Sequence, residues 1–257
     1  MINKGAIIDP SCEIADSAEI AAGAYIGKNC VIGENVQIGY NAVVESNTTI
    51  GDGTVLSPNA HIGGAPQDYS FRGEDTKLII GKNCVIREFA TIHRASTKED
   101  VWETVVGDDC FIMAYAHIGH DCKLGNNITL TNYVSFGGHC HVGSNVVAGG
   151  YAGCHQFTRI GTGAMLGARV NVSKDIPPFC MAVGIPARIE GLNVVGLKRR
   201  GVKPDARLEL KRAMAILRDL KIKLADVPDK LAELEQFEEV KIFIDFLKDS
   251  KRGFTRR

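Results

Sequence analysis

The run VGDDCFIMAYAHIGHDCKLGNNITL, residues 106–130, decides the fold. Val106, Ile112, Ile118, Leu124 and Leu130 recur every sixth residue. Neither the 3.6-residue period of a helix nor the two-residue period of a plain strand produces that beat. A six-residue repeat predicts a parallel β-helix, in which short strands joined by tight turns wind into a solenoid. Upstream, the beat runs from Ile8 to Ile62 and again through Ile80, Ile86 and Ile92; downstream it continues to Val172. Of 25 beat positions, 22 are Ile, Leu or Val, and the others are Phe136, Ala148 and Cys154, so the stack is apolar throughout. The residue after the beat is Gly fourteen times, which marks a backbone position that a side chain would obstruct. Three hexapeptides make one triangular coil. Residues 18 apart therefore stack on one face, about 4.8 Å from coil to coil.

The beat also accounts for the cysteines. Cys12, Cys30, Cys84, Cys110, Cys122 and Cys140 each lie four residues after a beat, and Cys154 is itself a beat. That makes seven of the eight small apolar wall residues rather than disulfide or zinc partners, and no C-x-x-C pair occurs. The 30 basic and 30 acidic residues cancel, which argues against general nucleic-acid binding. The first residues, Met1-Ile2-Asn3-Lys4-Gly5, lack the apolar core of a signal peptide. No apolar run approaches the roughly 20 residues that span a bilayer. A cytoplasmic location is expected.

The chain reads as mainly β: a parallel β-helix over residues 1–190 followed by an α-helical domain over 191–257. Two interruptions, near 63–79 and 95–105, predict protruding loops, and long loops on a rigid scaffold commonly carry binding function. The first leaves the phase intact. The second shifts it, because 14 residues separate Ile92 from Val106. Beyond Pro177-Pro178, the spacing of Ala206, Leu210, Ala213, Leu217, Leu220 and Leu224 predicts an amphipathic helix, with Pro204 in its first turn. A second helix is expected near Pro228, and a third carries Val240, Phe243, Ile244 and Leu247. Flat solenoid faces expose much surface, and three-sided coils suggest a homotrimer.

Five of the seven histidines fall within 39 residues: His117, His120, His139, His141 and His155. None is a beat residue, so their side chains are expected to point outward. His120, Gly138 and Gln156 are 18 apart and form one column, which puts Gln156 roughly 10 Å from His120. Asp121 and His139 are likewise neighbours. An Asp beside a His can fix its tautomer and raise its basicity, the arrangement of a general base with an orienting acid. Gly138 leaves room for substrate and a bare N–H, which suits an oxyanion in acyl transfer. A zinc site built from His93, His117, His120 and His139, as in a β-helical carbonic anhydrase, is the competing reading. A scaffold without catalysis is another. Lys198-Arg199-Arg200 could hold a diphosphate or be a solvated face.

Several segments match a known pattern: Ile92-His93-Arg94, His117-Ile118-Gly119-His120-Asp121-Cys122, His155-Gln156-Phe157, and Gly191-Leu192-Asn193 through Gly196-Leu197-Lys198-Arg199-Arg200-Gly201. Together they resemble the acyl-carrier-protein–UDP-N-acetylglucosamine O-acyltransferase family, which begins lipid A synthesis. The resemblance spans essentially the whole chain. It implies a left-handed parallel β-helix, a homotrimer with active sites between subunits, and no metal or separate cofactor, since acyl carrier protein brings the acyl group. It implies transfer of a (3R)-hydroxyacyl group to UDP-N-acetylglucosamine or its 3-amino analogue, and one base could serve either acceptor. By the same resemblance His120 is the base, Asp121 its orienting acid and Gly138 the oxyanion donor. Gln67, Asp68, His117, His139, His155 and Gln156 contact substrate, Asn193, Arg199 and Arg200 hold the nucleotide, and Ala168 ends the acyl groove. Two positions depart from the family pattern: Ser70 stands where Lys is common, and Val195 where Glu is common. A solenoid acyltransferase acting on a different nucleotide sugar remains the nearest alternative.

Overall fold

A computed structural model describes residues 1–98, 101–234 and 237–256. The chain winds as a left-handed β-helix with three parallel sheets of nine, eight and ten strands. Most strands are two residues long, and each pairs with the strand one coil away. On the first face Ile118 pairs with Phe136, Phe136 with Cys154 and Cys154 with Val172, the expected steps of 18. The beat side chains point inward and stack; Ile26, Ile62, Ile118 and Phe136 are fully buried. The residues four after the beat, among them Ala24, Cys84 and Cys122, are buried too, so both columns fill the prism. All eight cysteines are free thiols.

Two backbone rules explain the other repeat positions. The residue three after the beat turns each corner with φ near +60°, as at Asn29, Asn35, Asn127 and Asn145. Asn tolerates this left-handed conformation better than most residues. The Gly directly after the beat answers a different need. A Cβ on Gly119 would stand 2.7 Å from the Gly138 nitrogen, so the next coil leaves no room for a side chain.

Along the edge between the third and first faces, aromatic residues take the left-handed corner instead. Phe89, Tyr115, Tyr133 and Tyr151 stack with centroids 5.0, 4.9 and 4.8 Å apart and remain substantially exposed.

Both interruptions are shorter than expected. Strands His61–Gly64, Lys77–Ile80 and Glu103–Val106 reach into them. Leu78 is buried because its strand pairs with Thr48 below and Thr104 above. Both loops leave the edge joining the first face to the second. Residues 99 and 100 of the second loop lie outside the described residues.

After Val172 the third sheet ends in Cys180–Val183 and an antiparallel strand, Arg188–Leu192. Helices α1 (Val194–Arg199), α2 (Pro204–Arg218), α3 (Val227–Leu231) and α4 (Glu238–Lys248) follow. Ala206, Leu210, Ala213 and Leu217 form the buried stripe of α2, with Val240, Phe243, Ile244 and Leu247 on α4. Leu220 departs from the expected stripe. The helix stops at Arg218, capped by the Asp219 N–H, and Leu220 is exposed. The Leu224 side chain lies outside the described ones. The chain end returns to the solenoid, where Asp175 N–H donates to Gly253 O at 3.0 Å and Thr255 N–H to Asp175 O at 2.8 Å. No described helix is long and apolar enough to cross a membrane.

Phe136 is the largest fully buried side chain of the solenoid and lies between Ile118 and Cys154. Phe136→Ala should cost about 3–5 kcal/mol, as large-to-small changes in packed cores do. A chemical-denaturation midpoint unchanged in that variant would contradict the stacked-core description.

Candidate functional site

The catalytic candidates converge on the edge from which both loops leave. His120 and Asp121 turn the corner between strands His117–Ile118 and Lys123–Leu124. Gly138 and His139 turn the same corner one coil on, where His139 N–H donates to His120 O at 2.9 Å. Gln156 and Phe157 follow, with Phe157 N–H donating to Gly138 O at 3.0 Å. The column read from 18-residue spacing is therefore present. Asp121, His139 and Phe157 occupy left-handed corners, with φ of 59°, 60° and 65°.

His120 Nδ1 lies 2.6 Å from Asp121 Oδ2. With Nδ1 donating to the carboxylate, Nε2 carries the free lone pair. Asp121 is almost completely buried. Burial alone would raise its pKa, but hydrogen bonds from His120 and Ser96 outweigh that and hold it below the usual carboxylate value. Ser96 donates to Asp121 three times: its N–H at 3.1 and 3.0 Å to the two oxygens, and its Oγ at 2.7 Å to Oδ2. The Asp121 N–H donates to Thr104 Oγ1 at 2.8 Å.

Gly138 packs against the His120 ring. A Cβ there would come within 2.7 Å of Cε1 and 2.8 Å of Nε2. Elsewhere the N–H two residues after the beat is capped by a side chain one coil on, as Lys28 by Ser46, Glu34 by Asp52, and Asn126 by Ser144. At the site the equivalent neighbours are Gly138 and Gln156. Among the described residues, the Gly138 N–H has no acceptor. A base with a free Nε2 and an uncommitted N–H thus lie side by side.

His139 corrects the expectation that every histidine points to solvent. It is 6% exposed, its ring stacks on Phe157 at 4.4 Å, and its Nε2 is 3.6 Å from Asp121 Oδ2. The Phe157 ring and the Asp121 carboxylate of the adjacent coils cover it. On the first face His117 meets His93 edge-on at 5.3 Å and pairs with Thr91 Oγ1 at 2.9 Å. Burial, then the nearby His93 and His120, pushes the His117 pKa down to about 4, and burial lowers that of His93 too. Both are neutral near pH 7.

His120, Asp121 and His139 are the described group whose ligand atoms lie within 4.8 Å of one another. The set fits a metal poorly, because Nδ1 and Oδ2 at 2.6 Å are at hydrogen-bond distance. Two ligands of one tetrahedral zinc stand roughly 3.3 Å apart. His93 and His117 are not in that group, so the competing four-histidine zinc reading has no cluster behind it among the described residues.

The remaining candidates divide among the edges. Asp68, in the first loop, accepts from Ser70 and forms an ion pair with Lys98 of the second loop. Lys98, then Ser70, holds the Asp68 carboxyl well below its ordinary value. Spacing gave no signal for Lys98, which supplies a cation near Asp68 where Ser70 cannot. Gln67 and Asp68 line a cavity of about 330 Å³ with the fully exposed Tyr69. His155 is exposed on the catalytic edge and meets Arg252 at 3.0 Å.

Asn193 and Arg200 lie at the next edge. Asn193 Oδ1 caps α1 by accepting from Gly196 N–H at 3.0 Å, and its Nδ2 donates to Gly163 O at 3.0 Å. Arg200 packs over Phe179 at 5.2 Å and leaves one buried guanidinium nitrogen without a partner, whereas Arg199 is exposed. Ala168 lies on the third edge, one residue before Arg169, whose guanidinium stands 6.0 Å from the Tyr151 ring. Within one protomer, Asn193, Arg200 and Ala168 are thus on other edges than His120.

The bacterial transferase hexapeptide model matches residues 29–64 and 103–138, and the UDP N-acetylglucosamine O-acyltransferase domain 2 model matches 175–255. A protein of Burkholderia mallei named acyl-[acyl-carrier-protein]–UDP-N-acetylglucosamine O-acyltransferase is 40% identical over 202 residues, 77% of each chain. One of the same name from Paraburkholderia phymatum is 44% identical over the same share. This chain belongs to the UDP-N-acetylglucosamine O-acyltransferase family. The solved UDP-N-acetylglucosamine acyltransferase of Campylobacter jejuni, 40% identical, superposes with a TM-score of 0.93 over 100% of both chains. That of Francisella novicida, 35% identical, gives 0.97 over 100% of this chain and 94% of its own. The left-handed helix and the helical C-terminus are thus family features.

The depressed His117 value has a consequence for stability. Its folded pKa is about 4 against an ordinary 6.5. Between those values the unfolded chain takes up a proton that the folded chain refuses, so stability falls as pH drops from about 6.5 to 4. His117→Gln should flatten that fall, leaving the part due to His93. Thermal melts across the interval that show no difference between the two proteins would contradict the assignment.

Proposed function

We propose that this protein transfers a (3R)-hydroxyacyl group from acyl carrier protein to the 3-position of UDP-N-acetylglucosamine, the first step of lipid A synthesis. The observation that carries the reading is the His120–Asp121 pair beside the open Gly138 N–H. His120 Nε2 takes the proton of the sugar 3-hydroxyl as that oxygen attacks the thioester carbon. Negative charge develops on the carbonyl oxygen, and the Gly138 N–H receives it. Asp121 holds the imidazole tautomer and steadies the imidazolium. When the C–S bond breaks, the imidazolium returns its proton to the leaving thiolate. The products are an ester and free carrier-protein thiol, so no metal and no further cofactor enters the balance.

In this reading residues 1–190 are the acyltransferase domain and 191–257 a helical domain. Gln67, Asp68, His117, His139, His155 and Gln156 contact the substrates, and His117 does so as a neutral donor or acceptor. Asn193, Arg199 and Arg200 hold the nucleotide end, with Asn193 doing so from a rigid cap. Their separation from His120 within one protomer supports a homotrimer in which a neighbouring copy brings them to the catalytic edge. Work in the cytoplasm fits a carrier-protein substrate.

The deciding experiment is mass spectrometry of products formed from UDP-sugars bearing a 3-hydroxyl or a 3-amine with a panel of hydroxyacyl carrier proteins. A product acylated elsewhere than at the 3-position, or no product, would overturn the reading. His120→Ala should lower kcat by about 10²–10⁴ while the oligomer stays intact, as loss of a general base does. Near-normal turnover in purified His120→Ala would remove His120 from the mechanism.

Ala168 has a second expected outcome. If it closes the acyl groove, Ala168→Gly opens room for one or two more methylenes, each worth roughly 0.8 kcal/mol when buried. Preference in mixed-donor competition should move toward longer hydroxyacyl chains by about tenfold. An unchanged length preference would place the end of the groove elsewhere.

A further inference from the structure

Ser96 stands four residues after the beat at Ile92, inside the second interruption of the repeat. The chain leaves the solenoid after strand Thr91–His93 and returns at Glu103, and Ser96 lies in that excursion, 3% exposed. Its N–H and hydroxyl both point at Asp121, and between them reach both carboxylate oxygens at 2.7–3.1 Å. Asp121 can therefore turn neither oxygen without breaking a bond to Ser96. Two residues on, Lys98 pairs with Asp68 of the other loop. One short segment thus grips a carboxylate of the solenoid and a carboxylate of the substrate-contacting loop.

We infer that Ser96 is a positioning residue for acyl transfer: by holding both oxygens of Asp121 it fixes the plane in which the carboxylate receives His120 Nδ1–H. This rests on the reading of His120 as the base. The bonds are charge-assisted and buried, where such bonds are strongest and where a missing partner is most costly. The other groups facing Asp121 cannot replace them. Thr104 accepts from the Asp121 backbone and does not reach its carboxylate. His139 Nε2 stands at 3.6 Å from Oδ2, the oxygen that also binds His120. Without the Ser96 hydroxyl, Oδ2 keeps from Ser96 only the longer N–H bond, which that N–H shares with Oδ1, and the carboxylate is held less firmly in the plane that receives His120. The Lys98 ammonium is committed to Asp68.

The test compares Ser96→Ala and Ser96→Thr with the unaltered full-length protein, each checked by thermal melt for folding. Two readouts are taken. One is kcat and KM against pH with hydroxyacyl carrier protein and UDP-N-acetylglucosamine. The other is the far-downfield proton resonance expected of the short His120 Nδ1–H bond, assigned by its loss in His120→Ala. Ser96→Ala should lower kcat about tenfold or more, leave KM within about twofold, shift the acid limb of the kcat profile, and lose or move the downfield resonance. That size follows from the loss of one charge-assisted hydrogen bond. Ser96→Thr keeps the hydroxyl and should restore kcat, the pH profile and the resonance. A purely structural role would instead lower activity in proportion to folded protein, with both the acid limb and the resonance unchanged. If Ser96→Ala keeps normal kcat and the resonance while His120→Ala is inactive, the inference is overturned and the reading of His120 stands. If the unaltered protein shows no transfer yet the resonance still depends on Ser96, the functional reading fails while the positioning role holds.

Discussion

The backbone hydrogen bond from one coil to the next is what the rest of this molecule depends on. Each strand is only two residues long and gains nothing as an isolated element; it exists because an identical strand lies one coil away on each side. That ladder sets the coil spacing, and the spacing dictates composition. Gly follows the beat because the next coil's backbone is within 3 Å of where a Cβ would stand, and Asn turns the corner because φ must be positive there. The inward columns, beat and four-after, are then free to carry Ile, Val, Ala or Cys as volume requires. Chemistry is left to corners and outward faces.

The site is this same ladder with two substitutions in the repeat. Asn gives way at two stacked corners to Asp121 and His139, which keep the left-handed backbone but bring ionisable groups between coils. One column over, side chains that elsewhere cap the next N–H give way to His120 and Gly138. A general base, its acid and an open donor are thus assembled without any distortion of the solenoid. The electrostatics follow from depth. Asp121 is buried yet stays ionised because donors surround it, while His117 and His93 are partly buried, pair with Thr91 and the Ala65 carbonyl, and stay neutral. The proposed acyl transfer is assigned to this edge on the strength of that geometry.

Much of this was legible before the structure. The beat settles the fold because no other regular structure places an aliphatic residue at every sixth position, and the 18-residue step brings His120 to Gly138 and Asp121 to His139 by arithmetic alone. What the arithmetic hides is anything contributed by a loop. Ser96 has the same phase as a wall residue, and Lys98 lies beyond the beat, so neither their partners nor their burial is periodic. The His139 burial is not periodic either: Phe157 and Asp121 of the adjacent coils enclose its ring, whereas Tyr115 and Tyr133 at the same repeat position stay exposed. Asn193 showed its family motif but not its capping role, and Leu220 continued a helical spacing past the point where Asp219 ends the helix.

The unequal loops carry a consequence for how the chain keeps time. Ile62 pairs with Ile92 after 30 residues, with a bulge directly after Ile62, and Ile80 pairs with Val106 after 26; beat still meets beat in both pairs. Neither interval equals one regular coil, and the second is not even a multiple of six. The six-residue count is therefore a local clock that each strand restarts, rather than a frame inherited from the N-terminus. An extra residue inside a strand would turn the rest of that strand's side chains to the wrong face. At the catalytic edge the same residue costs only loop-closure entropy, about 0.6 kcal/mol per doubling of loop length. The edge from which the described loops leave, where the molecule can lengthen cheaply, is also the edge that carries the His120–Asp121 pair.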